Sequence, residues 1–192
     1  LVDYERAQLQ RERGDLGKAA RRAQKLRHLH RGHHLAIFRA NQVLIPVELL
    51  RGNIDRVETL LDECERFIDE GTPCVATVWL ARQRMRTNLA LGRPEVARGQ
   101  LDVLDEQLHR SGLIKHPYVS VAFHLSRAQA LIALLARKDR IGEARRNDIF
   151  KHIRQDVSAL RSRDTRLIPS LEAEIERLFG RFALLRNQLD EA

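Results

Sequence analysis

A turn signature recurs about every 40 residues along this chain of 192 residues, and it constrains the fold more than any other feature. Four segments carry it: Arg13-Gly14-Asp15-Leu16, Arg51-Gly52-Asn53-Ile54, Leu91-Gly92-Arg93-Pro94 and Lys138-Asp139-Arg140-Ile141. Anchored at residues 14, 52, 92 and 139, they lie 38, 40 and 47 residues apart. Each sits between two amphipathic stretches. A period in that range, with a helix on either side of every turn, predicts stacked helical hairpins. A lone hairpin cannot cover its apolar face, so neighbours must share one continuous core.

Equivalent positions support the alignment. Seven residues before the anchor stand Ala7, Ile45, Met85 and Ile132, and five after it stand Ala19, Val57, Ala97 and Ala144. Nine after it come Ala23, Leu61 and Leu101, but Asp148 in the fourth unit, where the pattern slips; twelve after it come Leu26, Cys64 and Leu104. Small or aliphatic residues at fixed offsets are what close helix packing requires. Strand signals are nearly absent, and only 5% of residues are aromatic, which suits helices packed by leucine and alanine.

The expected architecture is all-α: hairpins at about 2–30, 34–70, 73–111 and 117–160, with a terminal helix at about 165–190, in one domain over 1–192. Gly71-Thr72-Pro73 reads as terminator, cap and first helical turn of the third hairpin. Pro46 falls inside the helical run Leu35 to Leu50, where it removes the bond to the Gln42 carbonyl and predicts a kink.

This pattern resembles the tetratricopeptide (TPR) repeat, most closely at Leu89-Ala90-Leu91-Gly92-Arg93-Pro94-Glu95-Val96-Ala97. The period departs from the standard 34. The first helix also lacks the family's small residue, with Ile45, Met85 and Ile132 in its place. Both departures are similar to the longer repeats of bacterial transcription activators of the MalT and LuxR-like type and related signalling proteins. The resemblance covers residues 1–160. It implies a TPR-like solenoid, a right-handed superhelix of antiparallel helical hairpins. It further implies a non-catalytic protein-interaction or effector-sensing module of a bacterial cytoplasmic regulator. The chain opens on Leu1 rather than methionine and is read as part of a larger protein.

In such stacks the first helix of each hairpin lines the concave groove. Carrying those offsets over selects Tyr4, Gln8 and Arg11, then Arg39 and Gln42, then Trp79, Arg82 and Arg86, then Gln129 and Arg137. Arg82 and Arg86 are one turn apart and share a face. Arginine binds carboxylates and phosphates bidentately, and an adjacent indole adds an apolar or cation–π surface. The expected partner is therefore a protein or peptide, acidic in character, or a small anionic effector. The bland alternative is a solvated arginine face with Trp79 packed in the core.

The net charge of +8 admits a second class, a nucleic-acid-binding basic repeat. It is less favoured, because base-stacking aromatics are scarce and Arg outnumbers Lys 29 to 5, a bias of composition; the charge is also unevenly placed. Residues 1–40 carry ten Lys/Arg against four Asp/Glu, whereas 41–80 carry three against eight. The longest apolar run, Ala130 to Ala136, is too short to span a bilayer, and no membrane role is expected.

The remaining motifs read as structural. His28, His30, His33 and His34 crowd one inter-repeat loop, but lack the ligand spacing of a zinc site. Cys64 occupies a position held by leucine in two other units, and Cys74 stands at a helix start without a neighbouring base. No Gly-rich phosphate loop, serine elbow or HExxH sequence occurs, so neither enzymatic activity nor a cofactor is expected.

Overall fold

A computed structural model of the chain describes residues 2–68, 74–136, 142–162 and 169–190. Among the described residues the fold is all-helical, with nine α-helices, one 3-10 turn and no strand. The chain divides into two compact units, Leu1–Thr72 and Pro73–Ala192.

The first unit holds α1 (Val2–Glu12), α2 (Leu16–Leu29), α3 (His34–Leu50) and α4 (Ile54–Glu65). The second holds α5 (Val75–Ala90), α6 (Pro94–Arg110), a 3-10 turn at Leu113–Lys115, α7 (Pro117–Leu135), α8 (Glu143–Arg161) and α9 (Pro169–Asp190). Within each unit consecutive hairpin helices pack together, and first helices also touch across hairpins, α1 with α3 and α5 with α7.

The turn glycines act as the sequence predicts. Gly14, Gly52 and Gly92 take φ of +81°, +76° and +68°, a region that penalises any side chain. Each turn closes with the same pair of bonds. The glycine N–H reaches the carbonyl three residues back, and the next N–H reaches five back: Asp15 to Gln10 at 2.9 Å, Asn53 to Glu48 at 3.0 Å and Arg93 to Asn88 at 2.7 Å. This is the Schellman arrangement, which satisfies carbonyls the helix end would leave open. Asp15 then caps α2 by accepting from the Lys18 N–H at 3.1 Å, and Pro94 opens α6 at a position where no N–H is needed.

Burial follows the repeat offsets through three hairpins. Ala19, Val57 and Ala97 are wholly buried, as are Ala7, Ile45 and Met85 before the turns. The fourth hairpin departs from the alignment. Ala144 is exposed, and α8 buries Ile149, Ile153, Asp156 and Leu160 instead. That set matches Ala97, Leu101, Leu104 and Leu108 of α6 after a shift of 52 residues, five more than the turn spacing of 47. The longer connection displaces the register of α8, and Lys138-Asp139 lies outside the described residues.

Two helix ends also differ from expectation. Helix α4 stops at Glu65 rather than running to Glu70, and α5 begins at Val75 with Cys74 as its N-cap, not at Thr72-Pro73. Thr77 is the reason: its Oγ1 accepts the Cys74 N–H at 3.1 Å and completes a capping box. Thr72 and Pro73 lie outside the described residues, as does the expected start of the last helix at Thr165. Pro46 is buried inside α3, which stays helical on both sides of it.

Helix α7 is the centre of the second unit and touches α5, α6, α8 and α9. Its 19 residues are apolar enough to cross a membrane by length and composition, yet most of that surface is buried against its neighbours. Helix α9 packs on α7, and its Leu171, Ile175, Leu178 and Phe182 lie within the core of this unit, with Phe182 stacked on Phe150 of α8. Each such side chain contributes about 1.5–3 kcal/mol on burial, which fixes α9 firmly in place.

Candidate anion-binding pocket

One polar cluster of the second unit joins α5, α7 and α9. Helical spacing puts Arg82 and Arg86 on one face of α5, Gln129 on α7, and Glu174, Arg177 and Arg181 on one face of α9. Arg82 Nη2 donates to Glu174 Oε2 at 2.5 Å, and Gln129 Nε2 reaches the same oxygen at 3.5 Å. Arg82 is only 6% exposed, so the sequence expectation of a solvated, ligand-facing Arg82 is corrected. Its guanidinium is an internal counter-ion. Its Nε is buried without an acceptor among the described residues, a cost tolerated because the ion pair holds the group there.

Burial alone would raise the Glu174 carboxyl. The charges of Arg82 and Arg86, with hydrogen bonds from Arg82 and Gln129, outweigh it and hold the group below the usual carboxylate range. Glu174 is thus a fixed anion already matched by Arg82. Beside Arg82, with Glu174 in its wall, opens a pocket of about 250 Å³ lined by Arg86, Gln129, Glu174, Arg177, Leu178 and Arg181. Arg177 Nε donates to the Ala173 carbonyl at 3.0 Å, which ties its guanidinium to the helix it stands on.

Of the groove residues selected from sequence, the structure brings Arg86 and Gln129 to this pocket. Trp79 is half-buried on α5 and does not line it. Arg137 lies outside the described residues. Tyr4, Gln8, Arg39 and Gln42 form a separate cluster within the first unit. Tyr4 Oη donates to Gln42 Oε1 at 3.0 Å, Gln8 Nε2 donates to Tyr4 Oη at 2.8 Å, and the Arg39 guanidinium lies 5.7 Å from the Tyr4 ring centroid. Arg11 is half-buried on α1. Sequence reasoning missed Glu174, Arg177 and Arg181. Their spacing of three and four residues along one face of α9 was a visible signal, but α9 had no assigned neighbour.

Two other polar clusters hold helices together. In the first unit Arg27 Nη1 donates to the wholly buried Asn41 Oδ1 at 2.5 Å, and both residues donate to Glu63, at 3.0 and 2.9 Å. In the second, the wholly buried Asp156 accepts from Arg127 Nη2 at 2.6 Å and contacts His124 Nδ1 at 2.8 Å, while Arg127 Nη1 reaches Asp105 at 3.0 Å. Burial would lower the Arg127 guanidinium, but hydrogen bonding to Asp156 and the charges of Asp156 and Asp105 outweigh it and keep the group charged. These residues face one another, so they clamp helices.

The histidines have separate tasks. His30 ends α2, His33 accepts the Ala36 N–H at 3.4 Å to cap α3, and His34 stacks on Phe67 at 4.6 Å. Among the described residues no three His, Cys, Asp or Glu gather closely enough to hold a metal ion. Cys64 is buried at its leucine-like position. Burial raises the exposed Cys74 thiol, but hydrogen bonds with Thr77 and the Ala76 N–H outweigh this and leave it below its usual value. No family model matches this chain, and no curated protein or solved structure is significantly similar to it.

Proposed function

We propose that this chain is a non-catalytic helical-repeat module, TPR-like and wound as a right-handed superhelix, within a bacterial cytoplasmic signalling or transcription regulator. It binds an acidic peptide segment or a small anionic effector at the α5–α7–α9 pocket. The observation that carries this reading is the convergence of Arg86, Arg177 and Arg181 around a carboxylate that Arg82 already neutralises. The lining holds three arginines against one carboxylate, together with the amide of Gln129, which suits a ligand carrying carboxylate or phosphate groups. A binder fits the chemistry better than a catalyst. A carboxyl held below its usual range is a poor general acid and a weak base. Repeat-like packing supports the superhelix, through the α1–α3 and α5–α7 contacts and the three matching Schellman turns.

The test is a fluorescence-anisotropy titration of a labelled Asp/Glu-rich peptide, comparing wild type with the double variant Arg177→Ala, Arg181→Ala. Both side chains are exposed, so stability should move by no more than about 0.5 kcal/mol each. Affinity should fall roughly tenfold or more, since charge-assisted hydrogen bonds contribute about 1.5–3 kcal/mol. Unchanged affinity would remove the pocket from the binding surface.

A further inference from the structure

The first unit carries a segregated positive surface that the pocket of the second unit does not involve. From Leu16 to Val47 there is no Asp or Glu, against seven Lys or Arg and four His. Helix α2 sets Lys18, Arg21, Lys25 and His28 at spacings of three, four and three, which is one face of a helix, and all four are exposed. Lys18 has a counter-charge in Asp15 at 2.7 Å. The charge of Arg21 also acts on Asp15, while Lys25 has no ion-pair partner among the described residues.

This face runs into the α2–α3 turn, where two leucines stand in solvent. Leu29 is 58% exposed and Leu35 54%, on either side of His30-Arg31-Gly32-His33. The turn has defined anchors: Gly32 at φ +87°, the His33 cap on α3, and the His34–Phe67 stack. Beside it opens a pocket of about 370 Å³ whose lining includes Gln24, Arg27, His28, Arg31 and Ile37. The one carboxylate there, Glu63, is already matched by Arg27 and Asn41. Arg31 donates to His28 Nδ1 at 3.0 Å, which holds both groups at the rim.

Cations and exposed leucines at one tip suit different layers of the same partner. Basic residues are drawn to anionic headgroups, and apolar side chains enter the headgroup–acyl boundary. A nucleic acid would match the charge but gives the leucines nothing to bury against, and no stacking aromatic lies on this face of α2. We propose that the α2–α3 end of the first unit docks peripherally on an anionic phospholipid bilayer. A headgroup phosphate sits at the His28–Arg31 rim of this pocket, and Leu29 and Leu35 enter the interface. Such docking requires no spanning helix, and it departs from the sequence expectation of no membrane contact.

The experiment is co-sedimentation of the full chain with vesicles of phosphatidylcholine alone or mixed equally with phosphatidylglycerol, at low and high salt. The mixed vesicles should hold the protein, and salt should release it. Removing two cations, with Lys25→Gln and Arg31→Gln, should weaken partitioning roughly 10–30-fold. Leu29→Ser with Leu35→Ser should weaken it about tenfold or more, at unchanged helical circular dichroism. Equal binding to both vesicle types, no binding to either, or a leucine double variant that binds like wild type would overturn the proposal. Two further arms identify other anions. Saturable binding of inorganic phosphate without vesicle binding would assign the pocket to a free ion. Binding of a DNA duplex by wild type and leucine variant alike, without vesicle binding, would assign the face to nucleic acid. Either result overturns docking.

Discussion

At the scale of single residues, the Arg82–Glu174 pair separates what stabilises the second unit from what is offered to a ligand. Arg82 is buried, so removing its side chain strands Glu174 without its main partner. Arg82→Ala should cost on the order of 3 kcal/mol in urea unfolding, the range for breaking a buried pair from one side. Arg86→Ala should cost clearly less, because Arg86 is only half-buried at the pocket wall. Acidity offers a second readout. The Glu174 carboxyl titrates lower in the folded state than its ordinary value of 4.5, because Arg82 and Arg86 overcome its burial. The stability it supplies is therefore complete above that value and is lost as pH falls through the lower folded one. Wild type should exceed Glu174→Gln in stability at pH 6, and the gap should close as pH falls well below 4.5. A gap that stays constant with pH would mean the charge contributes nothing. The one-turn spacing of Arg82 and Arg86 was readable from sequence; which of them faces solvent was not. Glu174 lies 92 residues further along the chain, and only tertiary packing brings it to Arg82.

Helices and turns were more legible, because their causes are local. A glycine two residues before a helix start, flanked by apolar stretches, dictates a Schellman turn through short-range bonds alone. Three turns and the buried positions around them followed from that pattern. The fourth hairpin did not: its second helix, α8, buries a set displaced by five residues from the turn alignment. Two substitutions check the register. Ala97 is wholly buried where α6 packs, so Ala97→Asp should destabilise the protein by several kcal/mol, as an unpartnered charge is forced inside. Ala144 is exposed in the first turn of α8, so Ala144→Asp should be nearly neutral, and the positive helix end there favours an acid. Thermal melts distinguish the two. A strong effect of Ala144→Asp would restore the 47-residue alignment and contradict the shifted register of α8.

For the whole molecule, the sequence conveyed the repeat and the helical class, and the structure adds that the chain gathers into two compact units. Of the groove offsets transferred from a repeat pattern, Arg86 and Gln129 line one pocket, and the offsets could not anticipate that α9 forms a wall of it. The reason is physical: α9 joins by burying Leu171, Ile175, Leu178 and Phe182 in the core of the second unit, a long-range fit that no turn signature encodes. The central claim is that this wall and α5 together form the ligand site. The most direct measurement is an NMR titration that follows the arginine Nε–Hε signals of the full chain as an Asp/Glu-rich peptide is added. Saturable shifts of Arg86, Arg177 and Arg181 with a common affinity, while the Arg127 signal of the buried clamp stays fixed, are the predicted result. Shifts confined to arginines elsewhere, or none at saturating peptide, would contradict the account.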